Sequence, residues 1–136
     1  MNSILNSKKR LEKHGIKPSL QRMAVMDYLM THRTHPTVEM IFNDLSPDIP
    51  TLSKTTVYNT VKLLAEHEAI LTLNIDEKNV RYDGDISPHA HFRCKLCGNI
   101  HDFPIERMEI KHPECEGFTI SETQVYYSGF CRNCKN

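Results

Sequence analysis

A chain of 136 residues is long enough for one domain or two small ones, and 39% hydrophobic with 25% charged residues is the balance of an ordinary globular protein. No run of about 18 apolar residues occurs, so a helical membrane span is excluded; MNSILNSKKR lacks the apolar stretch of a secretory signal, and the expectation is a cytoplasmic protein whose five cysteines bind metal rather than form disulfides. Net charge is zero, yet residues 1–22 carry Lys8, Lys9, Arg10, Lys13, Lys17 and Arg22 against Glu12 alone, a local +5 that suits a polyanion such as DNA, unless it is only a solvated helix end.

Residues 18–31, PSLQRMAVMDYLMT, contain no glycine, are rich in Leu, Met and Ala, and place Pro18 where a helix can start. After His35-Pro36, Thr37 is a candidate N-cap for a short helix over VEMIFNDL, with Glu39 in its first turn. Pro47 and Pro50 break the chain before Ser53, a further cap, opens KTTVYNTVKLLAEH. On that helix Val57, Val61 and Leu64 recur at helical spacing and form a buried stripe. Thr55, Tyr58, Asn59 and Lys62 fall on another face that is polar, uncharged at its centre and tipped by a lysine. A plain solvated face more often carries Glu and Lys, whereas this one suits the major groove of DNA. Two β-rich runs, AILTLNI and NVRYDG, flank Asp76, Glu77 and Lys78 and read as a hairpin. Helix-turn-helix followed by a hairpin is the order of a winged helix, which makes residues 1–83 a DNA-binding domain.

Residues 84–88, GDISP, have the composition of a hinge. The 48 residues from His89 to Asn136 are too few to build a stable core unaided. Cys94-x-x-Cys97 and Cys131-x-x-Cys134 supply a staple, because four thiolates fill the tetrahedral sphere of zinc and Gly98 lets the backbone turn. A redox pair would need only one such motif; two point to structural zinc, whose binding energy becomes folding energy. With the cysteines assigned, HAHFRC leaves His89 and His91 over. In a strand these two and Arg93 face one way while Ala90, Phe92 and Cys94 face the other, so the stretch serves two sites. His35, Asp83 and Asp102 are the further ligands on offer, though each alone has an ordinary role as cap, turn residue or surface charge. Cys115 has no partner at a metal-binding spacing and reads as an isolated thiol.

GIKPSLQR, HPTVEMIF, SKTTVYNTVKLL, RYDG, HAHFRCKLCGNIHDF and GFCRNC stand in the order of the ferric uptake regulator superfamily, which the chain resembles nearly end to end. That resemblance implies an α+β protein with an N-terminal winged helix-turn-helix domain plus a small C-terminal α/β dimerisation domain with structural zinc, residues 89–136. It implies not an enzyme but a homodimeric repressor that binds a duplex DNA operator, an A·T-rich inverted repeat, in a metal-dependent way. Carried over residue by residue, Zn2+ falls on Cys94, Cys97, Cys131 and Cys134, and the regulatory Fe2+ or Mn2+ on His35, Asp83, His89, His91 and Asp102. Lys13, Arg22 and Lys62 become phosphate contacts, with Thr55, Tyr58 and Asn59 at or beside the bases.

The peroxide-sensing branch resembles this sequence best, because Asp83 and Asp102 stand where iron-uptake members usually have glutamate. In that branch peroxide reacts at the iron and oxidises a ligand histidine, here His35 or His89. Zinc-sensing members tend to place a cysteine in the regulatory site, and none stands near Asp83. A third metal site of some relatives uses side chains flanking the paired histidines; Pro88 and Ala90 offer no ligand there, so that site is not expected. Between Asp102 and Gly117 there is room only for a short helix, PIERMEIKH, which trims the dimerisation domain.

Three imidazoles and two carboxylates are a poor set for tetrahedral zinc and a reasonable one for Fe2+ or Mn2+ with an octahedral position open. Two rivals stand beside the peroxide sensor. One is an iron-responsive repressor that reads metal supply alone. The other is a non-haem iron oxygenase, which also sets histidines and a carboxylate around an open position.

Overall fold

The computed structural model describes residues 2–76, 78–87, 89–104, 117 and 123–134. It divides into two units, Met1–Ile86 and Ser87–Asn136. The basic leading segment, for which a helix end was one of two readings, is a helix, α1 (Asn2–Lys13). Side-chain caps then open three more. Ser19 Oγ accepts the Arg22 N–H at 3.2 Å ahead of α2 (Leu20–Thr31), and Thr37 Oγ1 accepts the Met40 N–H at 3.2 Å ahead of α3 (Val38–Leu45). Ser53 Oγ accepts the Thr56 N–H at 3.1 Å ahead of α4 (Lys54–Glu66). The second helix starts after Ser19 rather than at Pro18, since Ser19 is extended (φ −145°) and lends its hydroxyl to the first turn.

Leu11, Val25, Met26, Leu29, Ile41, Val57, Val61 and Leu64 are at most 1% exposed and form the centre of the first unit's core. Side chains of this kind contribute about 1.5–3 kcal/mol each when fully buried. The two faces of α4 separate as expected, with Val57, Val61 and Leu64 inward and Thr55, Tyr58, Asn59 and Lys62 exposed. Tyr28 on α2 donates its hydroxyl to Asp44 Oδ2 on α3 at 2.6 Å, tying these helices together.

The hairpin pairs β1 (Leu71–Leu73) with β2 (Arg81–Asp83), antiparallel, with Leu71 opposite Asp83 and Leu73 opposite Arg81. Arg81 donates from Nε and Nη2 to Asp76 Oδ2 at 3.2 and 3.1 Å, which folds the loop back on its strand; Glu77, also expected in this loop, lies outside the described residues. Gly84 follows directly. A Cβ there would lie 2.4 Å from the Leu29 carbonyl oxygen, so only glycine lets the chain pass α2 at this distance.

In the second unit β3 (His89–Cys94) runs antiparallel to β4 (Ile100–Pro104) on one side and parallel to β5 (Tyr126–Gly129) on the other. The strand through NIHDF was expected; β5 was not. The expected helix PIERMEIKH, Cys115 and Pro88 lie outside the described residues. Among the described residues no helix is long and apolar enough to cross a membrane.

Candidate metal centres and nucleic-acid face

The first knuckle forms because β3 ends at Cys94 and the chain turns back through Gly98, whose φ of +78° is ordinary only for glycine. The second arrives through β5: Cys94 is the register partner of Gly129, and Lys95 donates its N–H to the Gly129 carbonyl at 2.7 Å. Cys131, two residues on, therefore lands beside Cys94. The four sulfurs of Cys94, Cys97, Cys131 and Cys134 lie within 4.8 Å of one another. Cys97 Sγ and Cys131 Sγ are 3.9 Å apart. A tetrahedral zinc with Zn–S bonds of about 2.3 Å would set its sulfurs roughly 3.8 Å apart, so the cluster fits that ion.

Electrostatics agree. The N–H groups of Cys97 and Cys131 point at Cys94 Sγ, at 3.5 and 3.4 Å, and hold that thiol down to about 5. Its neighbour Cys131, aided by desolvation, pushes the Cys134 thiol up to about 12. Four thiolates so close repel one another unless a cation lies among them, and zinc supplies that charge.

Histidine and carboxylate come together in each unit separately. In the first, His35 Nε2 lies 3.5 Å from Asp83 Oδ2, with both side chains 2% exposed. His35 takes a left-handed backbone (φ +55°), unusual for a residue with a side chain. What holds it there is β2: Arg81 Nη1 donates to the His35 carbonyl at 3.2 Å, and the Tyr82 N–H to the Pro36 carbonyl at 3.0 Å. Asp83 is oriented by the Asp85 N–H, which donates to its Oδ1 at 2.9 Å.

In the second unit the β3–β4 register sets Asp102 opposite His91. Asp102 Oδ1 is 3.5 Å from His91 Nε2 and 3.6 Å from His89 Nε2, and the two imidazoles meet edge to face at 4.3 Å. His89 places its Nδ1 2.6 Å from the Ser87 carbonyl; an Nδ1–H donated there leaves Nε2 as a ligand nitrogen. All three nitrogen–oxygen separations exceed a good hydrogen bond. Histidine nitrogens and carboxylate oxygens set 3.5–3.6 Å apart are, by donor chemistry, a set that suits a borderline cation such as Fe2+ or Mn2+. Ala90, beside these histidines, is fully buried.

On the exposed face of the first unit, a polar cavity of about 440 Å³ lies between the start of α2 and α4. Arg22 and Asn59, both among the expected DNA contacts, line it. The sequence reading passed over Lys17, Gln21 and Thr56, which line it too; Lys17 stood only in the charge count. Arg22 Nη1 donates to the Lys17 carbonyl at 2.8 Å, which holds the guanidinium beside the cavity. Lys13 and Lys62 are exposed on α1 and α4, and Tyr58 is 52% exposed.

Residues 13–128 match the ferric uptake regulator family. Over 129 residues the chain is 30% identical to the peroxide-responsive repressor PerR of Staphylococcus aureus, covering 93% of this chain and 87% of that protein. The structure of PerR from Streptococcus pyogenes, 28% identical, matches 98% of this chain and 93% of its own with a TM-score of 0.55. The Helicobacter pylori ferric uptake regulator, 24% identical, matches 99% and 93% with a TM-score of 0.71, a likeness of fold.

Proposed function

The chain belongs to the ferric uptake regulator family, and from that premise we propose that it is a repressor that senses hydrogen peroxide. Members of this family are metal-dependent transcriptional regulators that bind DNA as dimers, not enzymes, which removes the oxygenase reading.

The observation that carries the proposal is the pair of aspartates, Asp83 beside His35 and Asp102 beside His89 and His91. Relatives 30% and 28% identical that bear peroxide-responsive names support the same reading. In it, His35, Asp83, His89, His91 and Asp102 hold one Fe2+ or Mn2+. Iron, when bound, supplies the electrons that reduce peroxide beside these imidazoles. The Ser87 carbonyl keeps His89 in the tautomer that presents Nε2, and Arg81 keeps His35 in its left-handed pose. An imidazole that gains oxygen would be a poorer ligand, so these residues would no longer hold the ion and the DNA-binding form would be lost.

Cys94, Cys97, Cys131 and Cys134 hold structural Zn2+ and stabilise a sheet too small to persist alone. Tyr58 and Asn59 meet bases of an A·T-rich inverted repeat or the backbone near them, with Thr55 beside them, while Lys13, Arg22 and Lys62 contact phosphates. Residues 1–83 act as the DNA-binding domain, 84–88 as a hinge and 89–136 as the dimerisation domain, in the cytoplasm.

Mass spectrometry of the iron-loaded and manganese-loaded protein after dilute peroxide tests the reading. One oxygen atom should be gained on His35 or His89 with iron and not with manganese. Oxygen gained equally with both metals, or only on Cys115 or the methionines, replaces it with an iron-responsive repressor.

A further inference from the structure

Arg10 belongs to the basic segment, but its guanidinium turns toward its own unit rather than toward solvent. Nη1 donates to the Ala69 carbonyl at 3.0 Å and to the Gly84 carbonyl at 2.9 Å. Those carbonyls mark the open end of the hairpin: Ala69 lies two residues before Leu71, Gly84 lies one after Asp83, and Leu71 and Asp83 are register partners. A two-stranded ribbon is marginal by itself and frays from its open end, which is where Asp83 sits. Three further features hold the same turn. The Asp85 N–H donates to Asp83 Oδ1, the Asp85 carboxylate pairs with Arg33 at 3.1 Å, and Gly84 has no room for a side chain against Leu29. Only Arg10 reaches this turn from α1 among the hydrogen bonds described, and its Nη1 carries two N–H groups, one for each carbonyl.

We propose that Arg10 is a positioning residue for the regulatory metal: it staples α1 across the open end of the hairpin and so sets the Asp83 carboxylate for the ion. The inference deepens the regulatory reading and rests on Asp83 being a ligand. Coupling of this kind is reciprocal, so a bound ion also steadies α1, the helix that carries Lys13.

The test uses the full-length, zinc-loaded protein with Mn2+ as the probe, its affinity read by competition with a chelating dye. Arg10→Met should weaken Mn2+ binding on the order of 10-fold, the scale of losing a group that orients a ligand. Arg10→Lys should recover part of the loss, and Lys9→Met, which removes a charge from the exposed side of the same helix, should leave Mn2+ affinity unchanged. In an Asp83→Asn background Arg10→Met should cost nothing further. Wild-type affinity in Arg10→Met, or an equal loss in the Asp83→Asn background, overturns the proposal while leaving the regulatory reading intact. If Asp83→Asn itself leaves Mn2+ affinity unchanged, the regulatory reading fails and takes this one with it. Should Arg10→Met not fold, hydrogen exchange in metal-free Arg10→Lys decides. Faster exchange at the Asp83 and Asp85 amides relative to α4 supports the staple, and unchanged exchange sinks it.

Discussion

His91 stands directly across a strand pair from Asp102, with its Nε2 3.5 Å from the carboxylate Oδ1. Register brings the two backbones to a set separation, so the length of the side chain at 102 decides where the oxygen falls. Glutamate adds one methylene and must bend to reach the same ligand position. Asp102→Glu should therefore retain metal-dependent operator binding but lose most of its peroxide response. Gel retention of the iron-loaded variant, with and without peroxide, measures both. Full release by peroxide in the variant contradicts the role given to the short side chain.

The cysteine cluster makes a prediction about folding. Cys131 is delivered by β5 and brings its backbone N–H to Cys94 as well as its own sulfur to the site. Cys131→Ser should release zinc and unfold or monomerise the second unit, because on the order of 10 kcal/mol of zinc affinity is folding energy in such modules. Metal analysis with size-exclusion chromatography reads the outcome. A dimeric variant with normal thermal stability refutes a structural zinc.

Tyr58 and Lys62 share the exposed face of α4, one an aromatic hydroxyl and the other a cation. If this face enters the major groove, the two substitutions should fail differently. Tyr58→Ala should lose about 1–3 kcal/mol on the operator with less effect on unrelated duplexes, whereas Lys62→Ala should weaken all sequences alike and lower the salt slope by about one. Operator binding by Tyr58→Ala at wild-type strength removes the groove assignment.

Burial and the bond to Asp44 hold the Tyr28 hydroxyl well above the ordinary tyrosine value. Below about pH 10 the proton is present in folded and unfolded chains alike, and the full contribution of the bond is felt. Above it the unfolded chain releases the proton first, so that contribution falls as pH rises. Tyr28→Phe should cost about 1 kcal/mol at neutral pH. Urea titrations at rising pH should show its deficit shrinking above pH 10; a deficit that grows instead means that the bond is not what Tyr28 supplies.

Much of the fold could be read from the residues because it rests on local chemistry. The caps at Thr37 and Ser53 and the two faces of α4 are properties of a helix whatever surrounds it. The cysteine knuckles are equally local, since two residues between cysteines bring both sulfurs to one ion. Other features are decided by tertiary structure. The first helix is polar overall; Leu11 and Ser7 are buried in it, and its anchor is Arg10. Strand β5, whose residues Tyr126–Gly129 have no alternating pattern, exists because it pairs with β3. The contact that no pattern could foretell is that of Arg10 with carbonyls 59 and 74 residues away. A main-chain carbonyl is the same at every position, so the sequence cannot say which one a guanidinium will meet. Only the packing of α1 against the base of the hairpin decides it.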